Sequence, residues 1–372
     1  MLRRIEFQNY KAFKERVSLK VKPITLIVGK NSSGKSSILK LFPMLSNMMT
    51  GDLTYPLLLN NDGIISGTSY EDLFHNRENT GLSFALDYDN DVKLKASYYV
   101  HEGTIHLLSY AINEEELSRE ACADKVFGLV CQEMFEKDNI DPGDLALKVS
   151  YIGPIRKQAP HNIVFEGLDD DLDVGYNGEN AYRMLLNSMR TDRKLYDSVS
   201  EWMENNLEGQ KLEFTNTANN TGNYSLMVKR GELMVNTSQV GQGLAQVLPI
   251  IVKSFDAAEN SINVIEQPAL HLHPAAHANV AYRLGESAKE NNCSYIIESH
   301  SHNILLGFRR MVVDPAFKFT KEDIAIYYVD HAEKEAIARE IEIDENGDLS
   351  EWPSDVFGED FELLRTINRF RR

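Results

Sequence analysis

The sequence predicts an α/β fold: a mixed sheet around a parallel core, with a β-rich N-terminal lobe and a helical insertion. Three observations carry this. A glycine loop at 29–36 lies between an apolar strand and an opening helix. Two later apolar runs, Ile262 to Glu266 and Tyr295 to Glu298, end in carboxylates. The front third alternates apolar and polar residues, as half-buried strands do.

The loop is Gly29-Lys30-Asn31-Ser32-Ser33-Gly34-Lys35-Ser36, which fits Gly, four residues, Gly, Lys, then Ser or Thr. By average residue usage such a match arises on the order of once in a hundred chains of this length, so the flanks decide. Ile24 to Val28 reads as a buried parallel strand, and Ser36 to Phe42 opens a helix. A polyphosphate needs several backbone N–H groups converging on it, and Gly29 and Gly34 let the chain curl that tightly. The helix start adds a fixed positive field. Lys35 is placed for the β and γ phosphates and the Ser36 hydroxyl for Mg²⁺, with Ser37 closing the nucleotide-binding stretch.

Taken in order, Leu2 to Val21 reads as two short strands, with Ile5 and Phe7 on the first and Val17, Leu19 and Val21 on the second, joined through the polar bend at Asn9 to Lys14. Strand alternation returns at Leu82–Leu86 and Val92–Tyr98. Between Asn113 and Lys137 the spacing of Leu117, Ala121, Val126, Leu129, Val130 and Phe135 predicts an amphipathic helix or helical pair. A second helical block spans about Asn180 to Leu207. The acidic run Asp169, Asp170, Asp171 and Asp173 reads as a solvated loop. Ser238 to Gln246, with Val240, Gly241, Gln242 and Gly243, is a glycine-paired loop feeding a helix over Val247 to Val252, and by itself it is a weak anion-site signal. Two strands ending in Glu266-Gln267 and Glu298-Ser299-His300 place those groups along one sheet edge, where α/β sheets bind ligands. The expected division is 1–110, an N-terminal lobe with the glycine loop; 111–210, a helical insertion; and 211–372, a C-terminal lobe.

At 372 residues, 42% hydrophobic and 26% charged, the chain has the composition of a soluble globular protein. No apolar run approaches the ~20 residues needed to cross a bilayer, and the N-terminus lacks an apolar signal region, so a cytoplasmic protein is expected. Cys122, Cys131 and Cys293 show no metal-ligand spacing and suit a reducing compartment. Imidazoles at His271, His273, His277, His300 and His302 raise zinc, but a His-x-His pair on a strand-to-helix turn serves equally to hold the loop, and that reading is preferred. The net charge of −17, from 39 basic and 56 acidic residues, repels a phosphate backbone. Any direct DNA contact is therefore expected to be weak and salt-sensitive, along Lys11, Lys14, Arg16, Lys20 and Lys22 or at Arg369, Arg371 and Arg372.

In this order the motifs resemble the ABC-type ATPase heads of SMC-like proteins, and more closely the AAA-type ATPases of the OLD (overcoming lysogenization defect) group. Ile5 to Phe13 is similar to their first-strand signature, Val240 to Gln246 to their signature loop, and Ile265-Glu266-Gln267-Pro268 to Pro274 to Walker B. His300 falls at the switch histidine, and Tyr151 to Arg156 is similar to a Tyr-Leu-x-x-x-Arg segment. The tail, with Asp344 to Asp348, Trp352, Pro353 and Phe357, resembles a C-terminal domain of unknown function.

The resemblance implies a P-loop ATPase head using ATP and Mg²⁺. Residues 29–37 hold the nucleotide, Ser36 and Glu266 hold the metal, and Glu266, Gln267 and His300 form the catalytic set. The signature loop, with Ser238, Val240, Gly241, Gln242 and Gly243, reaches the ATP of a second copy. Two departures matter. Gln267 stands where a catalytic Glu is usual; an amide can orient water but cannot take its proton, so hydrolysis should be slow or rely on Glu298 or His300. Ala245 stands where relatives often carry a hydroxyl residue. The expected function is a regulatory or sensor ATPase that dimerises around ATP and controls a separate effector, a nuclease, in DNA processing or antiviral defence. The alternatives are an SMC-like DNA-repair ATPase binding DNA directly and an ABC transporter subunit. The transporter heads lack the two helical blocks and the tail. Only about seventy residues follow His300, too few for an appended nuclease domain, so no nuclease activity of its own is expected.

Overall fold

The computed structural model describes residues 1–50, 56–117, 126–169, 172–216, 222–332, 335–352, 357–358, 365–367 and 369. Cys122, Asp170, Asp171, Pro353, Arg371 and Arg372 lie outside the described residues. The chain forms two compact units, one of residues 1–149, 260–262 and 321–372, the other of residues 150–259 and 263–320.

The first unit holds a six-stranded antiparallel sheet, ordered Val17–Lys20, Leu2–Gln8, Leu82–Tyr88, Lys93–His101, Thr104–Ile112 and Glu115–Leu117. Burial alternates along Leu82–Tyr88 and Lys93–His101, so the period of two in the sequence is the period of the pleat. Phe7, Tyr10, Phe13 and Phe84 form a buried edge-to-face aromatic group. The same unit contains Ile24–Gly29, all six residues buried, parallel to Ile324–Ala332, which pairs antiparallel with Glu335–Ile341. A strand covered on both faces reads as a continuous apolar run, and Ile24 to Val28 is one.

Between Asn113 and Lys137 the helical expectation is corrected. Among the described residues only Gln132–Lys137 is helix, while Glu115–Leu117, Val126–Phe127 and Val130–Cys131 are strands. Leu129 N donates to Met48 O at 2.7 Å, and the buried Tyr98 and Tyr110 hydroxyls donate to Gly128 O and Leu129 O. These partners from distant sequence outweigh a local periodicity that short apolar runs leave ambiguous.

In the second unit Val149–Ile152, Ile262–Glu266 and Ser294–Glu298 lie side by side in that order, and the last two are buried throughout. The expected helical block is two helices, Ala181–Arg190 and Lys194–Asn206, broken where Arg193 takes a left-handed conformation. They pack with the helix Gln242–Phe255, and Pro274–Glu290 packs with His302–Val313. A small antiparallel sheet is built on Asn223–Arg230, flanked by Lys211–Asn216 on one side and by Ile163–Val164 and Leu233–Asn236 on the other. No described helix is long and apolar enough to cross a membrane.

Candidate nucleotide site and catalytic segments

In the first unit the loop 29–36 leaves its strand at Gly29, whose register partner is Val329. A Cβ there would come 2.0 Å from Val329 O, so the close approach of two backbones dictates glycine. Ser32 is left-handed, and Gly34, at φ 106°, caps the helix Lys35–Met48. That helix has no side-chain cap and no acidic residue in its first turn, so its leading N–H groups keep their full positive field. The loop rests on aromatic packing, because a Cβ at Gly34 would come 3.0 Å from the Phe13 ring. The Tyr10 hydroxyl donates to Ser37 O at 3.3 Å. The polar bend expected at Asn9 to Lys14 thus supplies, through Tyr10 and Phe13, the floor of the loop.

Lys35 is buried, and its ammonium donates to Gly29 O at 3.0 Å and Lys30 O at 2.5 Å. Ser33 is also buried, and among the described residues its Oγ has no hydrogen-bond partner. A buried hydroxyl left without a partner costs about 1–3 kcal/mol, and a phosphate oxygen would remove that cost. Lys30, Asn31, Ser32 and Ser36 are exposed. The donor set of orphaned hydroxyl, uncapped helix start and lysine fits a polyphosphate. Of the basic positions near the front, Lys11 donates to Ser66 O, Arg16 pairs with Glu6, Lys20 with Glu340 and Lys22 with Glu322. Those four cations have partners within the chain, which reduces them as a DNA-facing patch.

The second unit brings Glu266, Gln267, Glu298 and His300 together. Glu266 ends its strand buried, and its carboxylate accepts from the Tyr151 hydroxyl. Burial, and then the Glu266 charge, push the Tyr151 pKa far above its ordinary value, so it stays a donor. The Tyr151 ring stacks on Tyr176 at 5.7 Å. Arg156, also buried, donates to Glu266 O and to Gln267 O; burial lowers its pKa to about 10, which leaves it charged at neutral pH. Gln267 is left-handed at φ 49°, and its N–H donates to Glu298 O at 2.9 Å. Glu298 is buried, with Oε1 4.0 Å from His300 Nε2.

The imidazoles near Walker B divide among local tasks. His273 Nδ1 accepts from Ala275 N at 3.3 Å and caps the helix Pro274–Glu290. His277 is held by Leu272 O at 3.1 Å and Ser301 Oγ at 2.7 Å, and burial lowers its pKa, which favours the neutral ring. Ser301 caps the next helix.

The signature segment has Ser238 turned onto Asn236, Val240 half-buried, and Gly241 at the start of the helix Gln242–Phe255, which again has no side-chain cap and no acid in its first turn. Gly241 and Gln242 are exposed, while a Cβ on Gly243 would come 2.6 Å from His271 O. Ala245 is buried on the inner face of the helix. A cavity of about 340 Å³ lies against Gly241, Gly243, His271, His273 and Asn279. Tyr151 and Arg156 have no role that residue type alone assigns; the Tyr-x-x-x-x-Arg spacing is the available signal.

The family described as AAA ATPase domain matches residues 1–141 and 157–305. The chain belongs to that family. Residues 320–367 of this AAA ATPase match a family described as protein of unknown function, DUF3696. No curated protein matches it. Among solved structures it is similar to an SMC head bound to the C-winged helix domain of ScpA, at 15% identity and TM-score 0.52, over 92% of this chain and 98% of that one. It is also similar to the SMC head domain from Thermotoga maritima, at 11% identity and TM-score 0.48, over 92% and 99%. The fold of the AAA ATPase is thus mixed α/β of the SMC-head type, as the motif order implied.

Proposed function

We propose that this AAA ATPase is an ATP-gated switch. It binds ATP with Mg²⁺ through residues 29–37, hydrolyses it slowly, closes two copies around the nucleotide and so controls a separate effector, a nuclease in DNA processing or antiviral defence. The observation that carries the proposal is the loop itself, with its orphaned Ser33 hydroxyl, uncapped helix start and buried Lys35. The ammonium of Lys35, now on two loop carbonyls, would exchange them for phosphate oxygens. Ser36 and Glu266 are the residues that would hold Mg²⁺, which would supply positive charge against the phosphates. Tyr151, donating its hydroxyl to Glu266, would fix the direction of that carboxylate. Gln267 would orient the attacking water without taking its proton.

Turnover is accordingly expected well below the typical ~10 per second. Gln267→Glu should raise kcat by about 10-fold or more, since a positioned base contributes of that order. An unchanged or lower rate would place the base elsewhere, and a further loss in Glu298→Gln would then identify it.

The exposed Gly241 and Gln242 at an uncapped helix start support a contact with the γ-phosphate bound by a second copy, in a two-fold arrangement. Light scattering should show the mass doubling with a non-hydrolysable ATP analogue; a monomer in both conditions sinks this arrangement. The solved SMC head carries a domain of another protein, which supports a head that works through a partner. The purified chain should leave plasmid and linear DNA intact with Mg²⁺ or Mn²⁺, and cleavage that persists in Lys35→Ala would refute the effector reading.

A further inference from the structure

We infer that Arg156 is a positioning residue that ties the Glu266–Gln267 segment to the helix opening at Gly241, so that the catalytic edge and the signature segment move as one body. This rests on the ATPase reading above. Arg156 is 3% exposed and belongs to neither segment. Its Nη2 donates to Glu266 O and, at 3.3 Å, to Gln267 O; its Nη1 donates to Gln246 O at 3.1 Å and to Gln267 O at 3.4 Å. The Gln246 side chain completes the tie, its Oε1 accepting from Arg156 N at 3.3 Å and its Nε2 donating to Arg156 O at 3.2 Å. Gln246 lies one turn beyond Gly241–Gly243 on the same helix.

The chemistry requires arginine. A planar guanidinium can span the carbonyls of two consecutive residues and a third on a facing helix, whereas an ammonium on a single stem concentrates its donors at one point. What is held also matters. Gln267 is a left-handed non-glycine residue, a conformation that persists only when its surroundings over-determine it. Its N–H is committed to Glu298 O and its C=O to Arg156, so the arginine sets the direction in which the Gln267 side chain leaves the backbone. A second contact joins the same helix to the turn that follows Gln267: Gly243 packs against His271 O so closely that no Cβ fits. A shift of the signature helix would therefore be carried to Gln267, and the reverse.

The test uses the full-length chain with Arg156→Lys, which keeps a buried cation and loses the fork, and with Gln246→Ala, which removes the reciprocal amide contacts. Equilibrium ATP binding, steady-state kcat and KM, analogue-induced association and thermal melting are measured on each. For Arg156→Lys the expected result is ATP affinity and KM within about 3-fold of the parent, with kcat down by about 10-fold or more, as misplacement of a catalytic group produces, and association weakened. Gln246→Ala should shift kcat in the same direction, and the double variant should be no worse than Arg156→Lys alone, because residues in one network are non-additive. A lower melting temperature with kcat unchanged per folded molecule would show a purely structural role and overturn the inference. If Arg156→Lys does not fold, an unchanged kcat and association in Gln246→Ala overturns it. A parent chain that binds ATP and never turns it over overturns the hydrolysis reading instead, and the association arm then decides the tie.

Discussion

Lys35→Ala is expected to lower the affinity for ATP by at least about 100-fold, ~2.7 kcal/mol. The ammonium is buried and donates to Gly29 O and Lys30 O in its own loop. Neutral carbonyls compete weakly for a cation against ionised phosphate, and charge-assisted bonds to phosphate are about twice as strong as neutral ones. The substitution removes that charge while leaving the Gly34 turn and the helix start in place. Equilibrium titration with labelled ATP, alongside a melting curve to confirm folding, measures it. A variant that binds ATP as tightly as the parent would show that the loop is an ordinary glycine turn, and the central assignment would fall.

Gly29→Ala is expected to destabilise the first unit by ~3 kcal/mol or more, the range in which overpacking and backbone strain combine. The added carbon would stand 2.0 Å from Val329 O, at φ 154°, inside a parallel ladder running from Ile24↔Ile324 to Gly29↔Val329. Neither backbone can move aside without breaking ladder hydrogen bonds. Gly63 is the control: it has φ 86° and no atom within 4 Å of an added Cβ, so Gly63→Ala should lose only about 1 kcal/mol, from the backbone angle alone. Thermal or urea denaturation of the two variants separates the terms. Equal losses would mean that the backbone angle, and not the approach of Val329, explains the glycine at 29.

Much of the site was legible from residue order. The strand, loop and helix around Lys35, the carboxylate ends at Glu266 and Glu298, and the paired glycines at 241 and 243 all sit on the elements their spacing predicts. These are local signals: a buried strand must be apolar throughout, a tight anion loop must contain glycine, and a helix start must be free of competing acids. The misreading between Asn113 and Lys137 has the opposite origin, because there the pairing partners lie far away in sequence and overrule a short periodicity.

By itself, then, the sequence determined the α/β class, the glycine loop between strand and helix at 29–36, the amide at position 267 and the acidic net charge, because each is a matter of residue type at short spacing. Only the tertiary structure decided why Gly29 must be glycine, since Val329 is 300 positions away. It likewise showed that the Asn9–Phe13 bend floors the loop, that Lys11, Lys20 and Lys22 are already partnered, and that Tyr151 and Arg156 support Glu266 and Gln267. Each of these depends on backbone carbonyls and buried side chains meeting across long stretches of chain, and no residue pattern records which carbonyl will face which donor until the core has packed.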